Sequence, residues 1–207
     1  DFLSTPFDLD AVDFLNPMVP LFKISSSDIT NYPLLKKISK TKKPVLISTG
    51  ASSINEIKNA VKIMKSGTKK IVIMHCILSY PTTDFNANLN MISDLKKEFQ
   101  NYVVGYSDHT TPDKNMLNTT SAYLLGAKVI EKHFTFNKNL KGNDHYHSMD
   151  INDLKVLRNN IDKLNIILGD QKKKVIKCEL KSRKFARRCI GSKKFLKKDH
   201  RIREQVL

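Results

Sequence analysis

The chain has 207 residues, 40% hydrophobic and 27% charged, which suits a soluble globular protein with one good core and room for a second small piece. No apolar run approaches the roughly 20 residues of a membrane span, and Asp1-Phe2-Leu3 shows neither a starting Met nor a signal-peptide pattern, so the chain reads as a fragment opening inside a strand. The net charge of +16 suggests nucleic acid, but residues 170–207 hold 15 Lys/Arg against 4 Asp/Glu and so carry +11 of it, without aromatic interleaving or a recognition motif.

That tail reads as a solvated Lys-rich stretch, with a basic nucleic-acid-binding module kept as the less favoured alternative. Three scattered cysteines (Cys76, Cys178, Cys189) fit a reducing, cytoplasmic setting better than a disulfide framework.

Taken in chain order, six β-branched runs read as strands: Phe2–Thr5, Leu21–Ser25, Pro44–Ser48, Ile71–Cys76, Val103–Ser107 and Lys128–Phe134. Their cores, such as Val45-Leu46-Ile47 and Ile71-Val72-Ile73-Met74, are apolar without alternation, as parallel strands buried on both faces require. The intervening helices are amphipathic. Ile54, Ile57, Val61 and Met64 fall on one stripe behind a Ser53/Glu56 capping box, with Gly67 as its end. After the last strand, Leu154, Leu157, Ile161, Leu164 and Leu168 form another stripe, read as an ordinary core face.

Alternating βα units imply a parallel sheet with right-handed crossovers. Six units are too few to close an eight-stranded barrel, so either two units precede Asp1 or the sheet is open and doubly wound; no Gly-x-Gly-x-x-Gly follows any strand. Residues 1–169 are thus expected to form the βα domain and 170–185 a basic linker, with a small β-rich module beginning in 186–207.

Each candidate strand ends in polar or ionisable residues, where a (β/α)8 barrel carries its active site. His109 and His133 end consecutive strands, within reach of one divalent ion, with Asp108 and Glu131 as possible supporting neighbours. A pair of hydrogen-bonded core histidines is the competing reading. His75, without an adjacent carboxylate, reads as a buried structural histidine. Lys23, Ser26, Ser48, Thr49, Gly50 and Ser107 could hold a phosphate, or could be turn and cap residues only. Asp28 and Asp144 are carboxylates placed for acid–base work or hydroxyl binding, and Tyr80 follows the fourth strand. Asp144 lies in Lys141-Gly142-Asn143-Asp144-His145-Tyr146-His147, either a substrate clamp or an exposed turn.

In order, Phe2-Leu3-Ser4-Thr5-Pro6-Phe7, Phe22-Lys23-Ile24-Ser25-Ser26, Asn31-Tyr32-Pro33-Leu34, Leu46-Ile47-Ser48-Thr49-Gly50, Tyr80-Pro81-Thr82, Gly105-Tyr106-Ser107-Asp108-His109-Thr110 and Glu131-Lys132-His133-Phe134-Thr135 resemble the sialic acid synthase family, with its legionaminate and pseudaminate relatives. Ala186-Arg187-Arg188 and the lysines after it resemble that family's entry into a C-terminal antifreeze-like domain. The resemblance implies a (β/α)8 TIM barrel, here incomplete, with its first two βα units absent. It implies condensation of phosphoenolpyruvate with an N-acetylmannosamine-like sugar, and a homodimer in the full-length protein.

By the same pattern His109 and His133 hold a divalent metal, Mn2+ foremost with Mg2+ or Co2+ as alternatives. Thr5, Lys23, Ser26, Ser48 and Ser107 hold phosphoenolpyruvate, Tyr80 and Asp144 face the sugar, and Asp28 stands where the family has a catalytic Glu. Leu78 and Asn143 replace the family's usual polar residue and Pro. With part of the site missing, the chain alone is expected to be inactive. The enzymatic alternative is a Schiff-base aldolase using Lys23 or Lys132.

Overall fold

A computed structural model of the chain describes residues 1–142 and 144–201, so Asn143 and the last six residues of the expected C-terminal module lie outside the described residues. Contacts divide the chain into two units, Asp1–Ile167 and Leu168–Leu207. In the first unit five of the six expected strands form: β1 (Phe22–Ile24), β2 (Val45–Ser48), β3 (Ile71–Cys76), β4 (Val103–Asp108) and β5 (Ile130–Lys132). They pair in parallel in sequence order. Helices α1 (Leu9–Leu15), α2 (Tyr32–Lys40), α3 (Ile54–Lys65), α4 (Met91–Glu98), α5 (Leu117–Leu124) and α6 (Ile151–Ile167) alternate with them.

The expected first strand, Phe2–Thr5, does not form. It pairs with no strand of the sheet, and Phe2 stays 60% exposed. An extended segment becomes a strand only when a neighbour takes up its backbone groups.

The sheet is curled, and one contact proves it. Lys23 on β1 and Glu131 on β5 form an ion pair at 3.0 Å. Strands four places apart in a flat sheet are separated by about 19 Å, more than the two side chains can bridge. The five strands are therefore an incomplete (β/α)8 barrel rather than an open doubly wound sheet.

Register and alternation then define the two faces of the sheet. Phe22, Ile24, Val45, Ile47, Ile71, Ile73, Val104 and Tyr106 face the helices and are buried. They pack with Leu34, Leu35 and Ile38 of α2, Ile57, Val61 and Met64 of α3, and Ile92 and Leu95 of α4. Each such side chain contributes about 1.5–3 kcal/mol on burial, so most of the fold's stability lies in this layer. Lys23, Ser48, Cys76, Ser107 and Glu131 share the inner face. Leu46 and Val72 on that face are only half-buried, so the apolar runs are not covered equally on both sides.

The Ser53–Glu56 capping box forms at the start of α3, with the Ser53 N–H donating to Glu56 at 2.7 Å. Gly67 does end this helix region, but for a packing reason: a Cβ there would stand 1.7 Å from the Ser39 carbonyl oxygen of α2. The expected core stripe of α6 is covered only in part. Leu157 is buried, whereas Leu154 is exposed, since α6 packs mainly on α5, and Leu168 falls beyond the end of the helix.

In the second unit a 3-10 turn (Lys177–Glu179) leads into α7 (Leu180–Phe185), and no strand occurs among its described residues. No helix among the described residues is long and apolar enough to cross a membrane.

Candidate active site

Because all five strands are parallel, their carboxyl ends lie on one side of the sheet. Two polar groups gather there, one around Lys23 and one around His133.

In the first, a single oxygen, Oε1 of Glu131, accepts from the Lys23 ammonium at 3.0 Å and from the Ser107 hydroxyl at 2.7 Å. The Ser26 hydroxyl accepts from the Gly50 N–H at 2.9 Å and lies 3.5 Å from the Cys76 sulfur. Ser48 Oγ is buried and has no hydrogen-bond partner among the described residues. Thr49 is committed to structure, since its hydroxyl donates to the Met74 carbonyl at 2.9 Å. Burial pushes the Cys76 thiol above its ordinary pKa, so it stays protonated in this layer.

In the second group, the ring centroids of His109 and His133 are 5.4 Å apart, and the Tyr80 ring stands 4.1 Å from His109 and 5.9 Å from His133. His109 Nδ1 lies 2.8 Å from the Ile77 carbonyl. A carbonyl only accepts, so Nδ1 carries the proton and Nε2 keeps its lone pair free for a ligand. Burial, reinforced by neighbouring His133, holds the His109 pKa below the ordinary histidine value. The neutral ring is the form that binds metal.

The loop after β5 completes this group. Met149 N–H donates to the His133 carbonyl and Thr135 N–H to the Met149 carbonyl, both at 2.9 Å, tying the loop back onto the strand end. Gly142, at φ +139°, supplies a backbone conformation that L side chains rarely adopt. The 3-10 turn His145–His147 then brings Asp144 Oδ2 to 3.6 Å from His133 Nδ1. His147 is fully buried beside them, and one ligand atom from each of His133, Asp144 and His147 lies within 4.8 Å of the others. Tyr80, His133, Gly142, Asp144 and Tyr146 line an open cavity of about 650 Å³.

The structure thus brings Lys23 together with Ser107, and Tyr80 together with His109, His133 and Asp144. Two expected residues have other hydrogen-bond surroundings. Asp28, in the 3-10 turn Ser26–Asp28, accepts from Asn31 Nδ2 at 3.2 Å and from Ser27 Oγ at 3.4 Å. Thr5 lies in the unpaired N-terminal stretch, and no hydrogen bond among the described residues joins either to the clusters. The supporting neighbours are also reassigned. Asp108 points to the helix layer, where it pairs with Lys132 at 2.7 Å and accepts from Tyr106 and Thr110, so it does not orient His109. Glu131 serves Lys23, not His133. Cys76 and His147 are the residues that sequence reasoning left without a place in the site, and Glu131 is one to which it gave a different partner. Period-two alternation points to Cys76 and Glu131; His147 sits in a loop that carries no such signal.

A curled parallel βα sheet with an ammonium–hydroxyl group and an imidazole–carboxylate group at its strand ends is part of a (β/α)8 barrel. Residues 1–173 match the NeuB family, and the chain belongs to that family. It is 48% identical over 199 residues to an uncharacterised protein of Methanocaldococcus jannaschii, covering 95% of this chain and 58% of that protein. It is 42% identical to the N,N'-diacetyllegionaminic acid synthase of Campylobacter jejuni, covering 95% of this chain and 59% of that one. Among solved structures, the N-acetylneuraminic acid (sialic acid) synthetase of Leptospira borgpetersenii, in complex with citrate, superposes with a TM-score of 0.78 at 33% identity, covering 89% of this chain and 65% of that one. The chain spans a little under three-fifths of the length of these two curated relatives.

Proposed function

We propose that the chain carries the central strands of a phosphoenolpyruvate-dependent nonulosonic acid synthase acting on an N-acetylmannosamine-like sugar. The observation that carries this reading is the Lys23 ammonium, set on the inner sheet face beside Ser107 and facing the same strand-end side as His109 and His133. A cation with convergent hydroxyls suits a small, highly charged phosphate ester. In this reading Lys23, Ser26, Ser48 and Ser107 hold the ester, with Thr5 as a further contact. Ser48, a buried hydroxyl with no protein partner, fits a group whose partner is a ligand.

His109 and His133 would hold the divalent cation, Mn2+ by the family pattern. Both fit, since His109 keeps Nε2 free and His133 stands 5.4 Å away, ring to ring. A bound cation would supply Lewis-acid polarisation of the sugar's open-chain aldehyde. Tyr80 and Asp144, which line the cavity beside His133, would position the sugar. The enol carbon of the ester attacks the aldehyde carbon, forming the C–C bond. Water adds to the resulting cationic carbon, and phosphate leaves with C–O cleavage. Asp28 is the carboxylate assigned to orient that water, one methylene shorter than the Glu of the family pattern.

The Schiff-base aldolase fits less well. Lys23 is ion-paired with Glu131, and Lys132 is 1% exposed and paired with Asp108 on the helix-facing side. An amine engaged as an ammonium has no lone pair to attack a carbonyl. The basic segment 170–185 would link this domain to an antifreeze-like module beginning in 186–207, and the full-length protein would be a cytoplasmic homodimer.

The test is calorimetric titration of the 207-residue chain with phosphoenolpyruvate in the presence of Mn2+. Saturable binding, weakened at least about tenfold in Lys23→Ala, is the expected result. Binding no tighter than that of inorganic phosphate, or unaffected by Lys23→Ala, contradicts the reading. Turnover by these residues alone is expected to be absent, because five strands leave the mouth open to water on one side. Phosphate release on adding sugar checks that.

A further inference from the structure

His147 is a donor that neither the fold nor the proposed reaction uses. Its side chain is fully buried, yet neither ring nitrogen has a hydrogen-bond partner among the described residues. Leaving a buried polar group unpaired is costly, so a buried imidazole with two orphaned nitrogens points to a partner beyond the described residues. The surroundings name the chemistry of that partner. Asp144 Oδ1 is 3.9 Å from His147 Nε2, too far for a hydrogen bond but in the right place for a shared ligand. The other oxygen of the same carboxylate faces His133 Nδ1 at 3.6 Å, and the His133 and His147 rings are 5.2 Å apart. With metal–ligand bonds of about 2.0–2.2 Å, donors within 4.8 Å of one another close on a single ion after side-chain shifts of about 1 Å.

We propose that His147 is a third imidazole donor to the cation, forming with His133 and Asp144 a two-histidine, one-carboxylate set. The proposal rests on the reading of His133 as a metal ligand and goes beyond it. His133 is then shared between His109 and the Asp144–His147 arm. Asp144 stands between cation and sugar instead of serving the sugar alone. A set this rich in nitrogen selects first-row transition ions, such as Mn2+, Co2+ or Zn2+, over Mg2+, which prefers oxygen donors and water.

The test is titration of the full chain with Co2+, followed by its visible absorption, for the unsubstituted protein and for His147→Ala, His147→Asp and His133→Ala. The unsubstituted chain is expected to bind one Co2+ in preference to Mg2+. His147→Ala is expected to weaken Co2+ binding by more than about a hundredfold, beyond the roughly 10–100-fold cost of losing a merely orienting neighbour. His147→Asp, which restores a donor, should recover part of it. A smaller loss in His147→Ala, while His133→Ala abolishes binding, overturns the role of His147 and leaves the reading of His133 standing. No Co2+ binding by the unsubstituted chain overturns both. Should the variants fail to fold, NMR of the unsubstituted chain with cadmium decides: a coupling between the metal and a His147 ring nitrogen is expected, and its absence contradicts the proposal.

Discussion

Asp108 and Ser107 are adjacent, but alternation along β4 sends them to opposite faces, and their chemistry divides accordingly. The side chains of Asp108 and Lys132 are each 1% exposed and form a closed pair with Tyr106 and Thr110, a structural cluster beneath the site. Lys132→Met should therefore destabilise the protein by about 3–5 kcal/mol, since it leaves Asp108 a buried charge without its counter-ion; a lower urea midpoint is the readout. Ser48→Ala should do the reverse. Removing an unsatisfied buried hydroxyl is expected to raise stability by up to about 1 kcal/mol while weakening phosphoenolpyruvate binding, so the same variant is read by melting and by calorimetry. The strand-end histidines were legible in the sequence because each follows a strand-like run, and Lys23 because it interrupts one. The partners of Glu131 were not, because an ion pair between the first and fifth strands depends on how far the sheet curls. Nor was His147, whose burial follows from the loop folding back onto the His133 carbonyl.

At the scale of elements, the chain's local signals hold where they rest on a few neighbouring residues. The capping box of α3 forms as its Ser-x-x-Glu spacing requires, and Ser53→Ala is expected to cost about 1 kcal/mol. Gly67 was legible as an ending, but its reason is tertiary: Gly67→Ala would push into the Ser39 carbonyl and should cost about 1–3 kcal/mol, measured by thermal unfolding. Phe2–Thr5 shows the opposite limit, because β propensity without a paired neighbour leaves an extended, exposed segment. His75, on the helix-facing side of β3, is a structural histidine as its apolar context suggested: its Nε2–H donates to the Ala87 carbonyl at 2.8 Å. Burial lowers its pKa below the ordinary 6.5 despite that bond. The folded state then binds fewer protons than the unfolded one, so stability is full above about pH 6.5 and falls as pH drops toward the folded-state value. His75→Gln, which keeps a donor for Ala87, should flatten the decline of the urea midpoint between about pH 7 and pH 5.

At the scale of the molecule, stability and chemistry occupy opposite faces of one sheet. The helix side is mainly apolar, with His75 and the Asp108–Lys132 pair as its buried polar groups, and the inner side carries a charged and hydroxyl layer opening toward the strand ends. The βα alternation was readable from the order of apolar runs, whereas closure toward a barrel was not, since an open and a curled parallel sheet share the same pattern. The proposed function requires His109 and His133 to bring their rings to one cation at that end. Anomalous diffraction from crystals of the chain equilibrated with Mn2+ tests it most directly. A single peak is expected within ligand distance, about 2.0–2.3 Å, of ring nitrogens from both His109 and His133. A peak bound elsewhere, or none at the ends of β4 and β5, would contradict it.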